Sequence, residues 1–235
     1  MLKLFSRALV LATIAAGIAA APAAAQPAAL APQPAEVEAQ IRPDATGRPA
    51  VHLPCCQCVD GRRIRVRLNT RGAPWFVRSP GSAAFLPVAP AGHPAWTTAL
   101  GPAGWVGPQG ASQAPGNYVY ELRVVMPRCL IRPTVRVAGR FAADNSATTT
   151  IGSTTSSTPG FGNADIRPFG GTLAIAPGGT ATIRITVRNN EGPTGLIALG
   201  YIEIVCPRQR ADGTMELEAA LDRSELEARE LNRAE

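Results

Sequence analysis

Four stretches of this chain alternate apolar and polar side chains residue by residue, and that period of two limits its fold more than any other feature. In residues 180–188, Ala181, Ile183, Ile185 and Val187 fall on one side, and Thr182, Arg184, Thr186 and Arg188 on the other. A half-buried strand produces this pattern, because successive side chains leave opposite faces of a sheet. Ile64, Val66 and Leu68 alternate with Arg63, Arg65 and Arg67, and Val135, Val137, Gly139 and Phe141 with Arg136, Ala138 and Arg140. Residues 118–126 place Tyr118, Tyr120, Leu122, Val124 and Met126 inward, and residues 195–206 supply a last, long apolar strand. The arginines of residues 63–67 are expected to form a charged outer face that blocks edge pairing.

Between these strands lie turn-rich segments at 107–117, 153–163 and 177–179, and the chain holds 23 Gly and 22 Pro. So many short strands separated by Gly and Pro, with no helical period before residue 213, predict an all-β sandwich or barrel. Coiled-coil rods, collagen and multi-span membrane proteins are excluded by the same composition.

The two ends differ from this body. Residues 1–25 read as a secretory signal peptide: Lys3 and Arg7 precede an apolar run that ends at small residues before Gln26. The apolar run is too short to span a bilayer. The product is expected to be secreted or periplasmic, with no membrane span after processing. Residues 26–50, rich in Ala and Pro, are expected to form a disordered leader, with structure starting at about Val51. Residues 51–210 are expected to form the sandwich. Residues 211–235 contain one glycine and no proline, and are expected to form a charged amphipathic helix with Leu217, Leu221, Ala228 and Leu231 on one face.

Without Lys3 and Arg7 the chain keeps 21 basic side chains, all arginine, against 17 acidic ones. An Arg-only, Ala-rich and Pro-rich chain without interleaved aromatics argues against nucleic-acid binding. The charge is uneven: residues 26–212 carry 18 Arg and 10 acids, residues 213–235 carry 3 Arg and 7 acids.

Three stretches in fixed order resemble the galactose-binding-like jelly roll. Gly116-Asn117-Tyr118-Val119-Tyr120 is similar to its entry to a central strand. Gly139-Arg140-Phe141-Ala142-Ala143-Asp144-Asn145-Ser146 is similar to its strand ending in an Asp-Asn turn, and residues 188–196 to its Asn-rich turn before the last strand. The match covers about residues 60–206. It departs at Thr149-Thr150-Ile151-Gly152-Ser153, where the family's Asn-Gly hairpin tip is missing and a wider hairpin is expected, and at Gly179-Thr180-Ala181. The resemblance implies a jelly-roll β-sandwich acting as a non-catalytic module whose partner is a carbohydrate.

Few side chains are suited to chemistry. The chain has two histidines, His52 and His93, no Gly-x-Ser-x-Gly elbow and no His-x-His motif, so no catalytic or metal residue is assigned. Asp60, Glu121, Asp144, Asp165, Glu191 and Glu203 are the carboxylates of the expected sandwich. Asp144, Asn145, Asn189 and Asn190 are oxygen donors on two loops, suited to sugar hydroxyls or to a structural calcium, the one cofactor considered; the competing role is turn formation. Trp96 and Trp105 are candidate platforms for a sugar ring, with filling of the core as the competing role. Of the five cysteines, two of Cys55, Cys56 and Cys58 are expected to join Cys129 and Cys206, tying the first segment to the body. The odd thiol or the C-terminal helix offers a route to self-association. The alternative partner class is another cell-envelope component, with the chain acting as a structural or adhesive protein.

Overall fold

The structure is a computed structural model that describes residues 34–55, 63–109, 113–129, 133–206, 208–209 and 215–216. In chain order its strands are β1 (Ala35–Val37), β2 (Gln40–Pro43), β3 (Pro49–His52), β4 (Arg63–Asn69), β5 (Phe76–Arg78), β6 (Leu86–Pro87), β7 (Ala89–Pro90) and β8 (Val106–Gly107). They continue as β9 (Gly116–Val125), β10 (Thr134–Asp144), β11 (Ser146–Ile151), β12 (Thr154–Thr158), β13 (Arg167–Leu173), β14 (Thr180–Asn189), β15 (Gly195–Val205), β16 (Arg208–Gln209) and β17 (Met215–Glu216). One 3-10 turn, Asn163–Asp165, is the single helical element among the described residues.

Two sheets form the sandwich. The first runs β1-β4-β15-β10-β13, with the β7–β8 pair attached to β15; the second runs β12-β11-β14-β9-β3-β2, with β5 and β6 attached to β9. From β9 to β15 the chain passes repeatedly between the sheets, so β10, β13 and β15 lie in one and β9, β11, β12 and β14 in the other. The alternating residues meet between the sheets: Tyr118, Tyr120, Leu122, Ile183, Ile185 and Val187 pack against Val66, Leu68, Val137, Phe141, Leu196 and Ile202 in one core. Each strand contributes every second side chain, as the period of two requires.

Structure begins earlier than expected. β1 and β2 lie within residues 26–50, the segment expected to be a disordered leader, and β3 begins there: β1 pairs in parallel with β4, β2 with β3, and β3 in parallel with the end of β9. β1 and β2 bury little apolar surface and are held by backbone groups that β4 and β3 would otherwise leave open, whereas β3 buries Ala50 and Val51 completely. So β4 is not an edge strand: β1 covers it, and Glu36 meets Arg67 at 2.9 Å. The β11–β12 hairpin also corrects an expectation. Ile151 pairs with Thr154, leaving a two-residue turn at Gly152 and Ser153, narrower than foreseen. Gly152 has φ +60°, and a Cβ there would stand 2.5 Å from the Thr172 carbonyl oxygen. Only glycine fits that turn.

At the other end, Met215–Glu216 pairs with Arg208–Gln209 as a two-stranded ladder at the start of the expected helix. Residues 217–235, like the signal-peptide segment 1–25, lie outside the described residues. No helix of the described residues is long and apolar enough to cross a membrane.

Cys55 and Cys129 form a disulfide spanning 74 positions. Cys206 is also disulfide-bonded. Cys56 and Cys58 lie outside the described residues. The Cys55–Cys129 link follows directly on the β3–β9 pair, in which His52 stands opposite Val125.

Candidate binding site

Two turns carry the predicted polar site, and the strands that feed them decide where it lies. β10 ends at Asp144, opposite Gly195 on β15, and β14 ends at Asn189, opposite Gly116 on β9. The turns meet: the Asn145 backbone N–H donates to the Arg188 carbonyl at 2.9 Å, and Asn145 Oδ1 accepts the Asn190 N–H at 2.7 Å. The Asp144–Asn145 peptide bond is cis. Asn145 is half-buried, while Asn190 and Glu191 are exposed.

Asp144 and Asn189 point into the protein. Asn189 Nδ2 donates to the carbonyls of Gln113 and Gly192, both at 3.2 Å, which fixes the Asn-rich turn; its Oδ1 is buried without a partner. Asp144 Oδ2 accepts the Trp96 indole N–H at 2.7 Å, whereas Asp144 Oδ1 is buried without a partner. Burial pushes the Asp144 carboxyl above its ordinary value, against the opposing pull of the Trp96 N–H and of nearby His93. The Asp144 carbonyl accepts the Thr194 hydroxyl at 2.7 Å, tying β10 to the strand that follows the Asn-rich turn.

Trp96 and Trp105 do not present an exposed platform. They are 5% and 7% exposed, their ring centroids are 4.4 Å apart, and the Trp105 N–H donates to the Thr97 carbonyl at 2.7 Å. With Leu100, Ala103 and Ile166 they cover Ala142 and Ile197, which stand opposite one another on the outer face of the first sheet. Gly195 makes the approach possible, since a Cβ there would lie 2.9 Å from the Trp96 ring. Trp75 is buried in the main core. A Gly-rich sandwich with few aromatics uses its indoles as filler, and each polar N–H of the stacked pair finds an acceptor.

The remaining carboxylates divide by environment. Glu121 and Glu203 lie on outer faces yet are buried, because guanidiniums close over them: Arg48 and Arg184 reach Glu121 at 3.2 and 3.1 Å, and Arg65 reaches Glu203 at 2.8 Å. Register explains it, since Arg184 stands opposite Glu121 and Arg65 opposite Glu203. Asp165 accepts the Gly162 N–H at 2.9 Å and closes the 3-10 turn. Asp60 lies outside the described residues. Missed by sequence reasoning was Asp44: burial raises its pKa, but bonds from the Thr46 hydroxyl and N–H, the Arg123 guanidinium and the Arg48 N–H outweigh burial and hold it at about 2. Its signal was present as an Asp-x-Thr-Gly turn preceding a strand. Among the described residues no group of three His, Cys, Asp or Glu side chains is placed to hold a metal ion.

The sequence matches no protein-family model and no curated protein. Among solved structures the chain is similar to a β-glucuronidase from Ruminococcus gnavus, at 13% identity and TM-score 0.35, over 66% of this chain and 30% of that one. It is similar to a β-D-glucuronidase from Dictyoglomus thermophilum, at 13% identity and TM-score 0.35, over 61% of this chain and 28% of that one. A third likeness is to the CBM36-1 domain of a multidomain xylanase from the hindgut metagenome of Trinervitermes trinervoides, at 14% identity and TM-score 0.29, over 60% of this chain and 95% of that one. The chain spans less than a third of the length of the two glucuronidases. TM-scores of this size establish neither a shared fold nor a shared activity.

Proposed function

We propose that this chain is an exported, non-catalytic jelly-roll module of galactose-binding-like type that binds carbohydrate at the end of the sandwich where the Asp144-Asn145 and Asn189-Asn190 turns meet. The order β4-β15-β10-β13 facing β9-β14-β11-β12 supports the jelly-roll reading, because these eight strands cross between the layers at every step except the β11–β12 hairpin, as two nested Greek keys require. The disulfide supports export, since such bonds persist in oxidising compartments. The observation that carries the binding site is the Asn145–Asn190 contact, which sets an exposed amide turn beside two buried, unpartnered oxygens, Asp144 Oδ1 and Asn189 Oδ1. The exposed Asn190 amide and the half-buried Asn145 amide at this rim offer donors and an acceptor to the hydroxyls of a sugar ring, while the buried Asp144 and Asn189 hold the two turns. Trp96 acts here from behind, by bonding Asp144, and Trp105 stacks on Trp96.

A glycan array with the wild-type protein and with Asn190→Ala tests the reading. A signal from the wild type that the variant loses, with unchanged melting, supports it; silence from folded wild-type protein removes it. Melting with added calcium against a chelator-treated baseline tests the structural-ion role, which a rise in midpoint supports and an unchanged midpoint excludes.

A further inference from the structure

The outer face of the second sheet has a chemistry that the loop-end site does not use. One row crosses five strands in continuous register: Ser157 on β12 opposite Thr148 on β11, Thr148 opposite Thr186 on β14, Thr186 opposite Val119 on β9, and Val119 opposite Arg78 on β5. The row is about 19 Å wide at the ordinary strand spacing. Beside it Thr150 stands opposite Thr155, and Arg184 opposite Glu121. On its other side Arg188 stands between Ser146 and Asn117. Thr148, Thr150, Thr155, Ser157, Arg184 and Arg188 are exposed.

Charge on this face is sorted by depth. The two carboxylates that its arginines reach, Glu121 and Asp44, have side chains 3% and 1% exposed, while the Arg184 side chain is 63% exposed. Arg48 and Arg78 lie over the Phe85 ring at 5.3 and 5.4 Å from its centroid, which keeps two more guanidiniums at one margin. The face therefore shows solvent hydroxyls and guanidiniums and hides its anions. Phosphate and carboxylate oxygens only accept hydrogen bonds, so they match the guanidiniums and the threonine O–H donors but leave the threonine oxygens without a donor. A ligand that matches all three carries hydroxyls and anionic groups along one extended backbone.

We propose that this face is a second binding surface, independent of the loop-end site, and that its partner is an acidic polysaccharide. Sugar carboxylates or sulfates take the guanidiniums of Arg184 and Arg188, and sugar hydroxyls take the row of threonines. Carboxylate and sulfate share the same chemistry here, and the probes separate them.

The test is affinity electrophoresis of the full chain through gels containing polygalacturonate, dextran sulfate, neutral dextran or single-stranded DNA. Retardation by polygalacturonate or dextran sulfate that high salt removes, with none by neutral dextran, is the expected result. Arg184→Gln with Arg188→Gln should weaken that binding about tenfold, as the loss of two surface ion pairs allows. Because Arg184 also touches Glu121, Arg188→Gln alone and the shape-conserving pair Thr148→Val with Thr186→Val are run beside it, each with a melting curve. Both should weaken binding at unchanged melting. The proposal is overturned if neither acidic polymer retards the chain, if these variants bind as the wild type does, or if DNA or neutral dextran retards it equally. Asn190→Ala should leave this binding unchanged, which keeps the fate of this surface separate from that of the loop-end site.

Discussion

Phe141 and Ala142 are neighbours on β10, yet they belong to different hydrophobic clusters. Phe141 faces the second sheet within the main core, edge-on to Phe169 at 5.4 Å. Ala142 faces outward and is covered by Trp96, Leu100, Ala103 and Trp105, supplied by a segment with no regular period. The first cluster is made by two sheets that each offer every second residue, so removing one side chain disturbs many strands. The second is a local cap held by a few contacts: the stacked indoles, the Trp96–Asp144 bond, the Ala91 N–H to the Trp105 carbonyl at 2.9 Å, and the Thr70 hydroxyl to the Gly104 carbonyl at 2.5 Å. Burial alone does not tell them apart. What differs is how much of the fold each side chain holds, and cooperativity should follow that difference.

The largest expected effect falls on the main core. Phe141→Ala should cost about 3–5 kcal/mol and lower the single denaturant midpoint of the whole sandwich. A two-step transition in that variant would mean that the sheets do not unfold as one unit. Replacing Cys55 and Cys129 together by serine releases a 74-residue span and should cost roughly 4 kcal/mol by chain entropy. A midpoint equal to that of the wild type would show that the β3–β9 pairing already closes this loop unaided.

The cap should respond differently. Trp96→Phe leaves Asp144 Oδ2 without its donor and should cost about 1–3 kcal/mol. Amide exchange should speed up in residues 91–105 while β9, β10 and β14 keep their protection. Equal acceleration in the sheets would erase the distinction between core and cap.

The contrast also explains how much could be read in advance. The apolar sides of β4, β9, β10 and β14 were legible in the sequence, because an inter-sheet core writes its period into every strand that lines it. The cap was not. Its indoles lie between turns, and nothing in residues 91–105 announces that they return to Ala142 and Ile197. β1 and β2 escaped notice because strands of three and four mostly exposed residues need no apolar pattern, only an open edge provided elsewhere in the chain. The burial of Glu121 and Glu203 depends on register, which sets each opposite an arginine. Alternation fixes which way a side chain points, but not which residue it meets across the ladder. For the loop-end site, the residue types of Asp144, Asn145, Asn189 and Asn190 were legible, whereas the inward turn of Asp144 and Asn189 was not.

Acid titration gives the smallest expected effect, with opposite signs in two places. The raised Asp144 carboxyl should make stability fall as the pH rises from the ordinary carboxylate value through its own higher one, because the folded state holds that proton longer. Asp144→Asn should remove this drift. The depressed Asp44 carboxyl contributes stability above its ordinary value, and this is lost as the pH falls through that value toward about 2. Asp44→Asn should flatten that limb. Identical pH profiles for the two variants would show that the two carboxyls do not differ as their surroundings require.

The parallel pairs at the start of the chain impose an order on assembly. Residues 35–37 leave the ribosome before the strand they join, and residues 51–52 must wait for residues 124–125 before their ladder can form. Until then the opening segment has no template, and the oxidant that would link Cys55 to Cys129 has only one of the two sulfurs within reach. The opening strands nevertheless find their partners before the central ones do, since β4 must wait for residues 199–205 and β9 for residues 180–189, and a chain stalled before residue 124 would present an open seam.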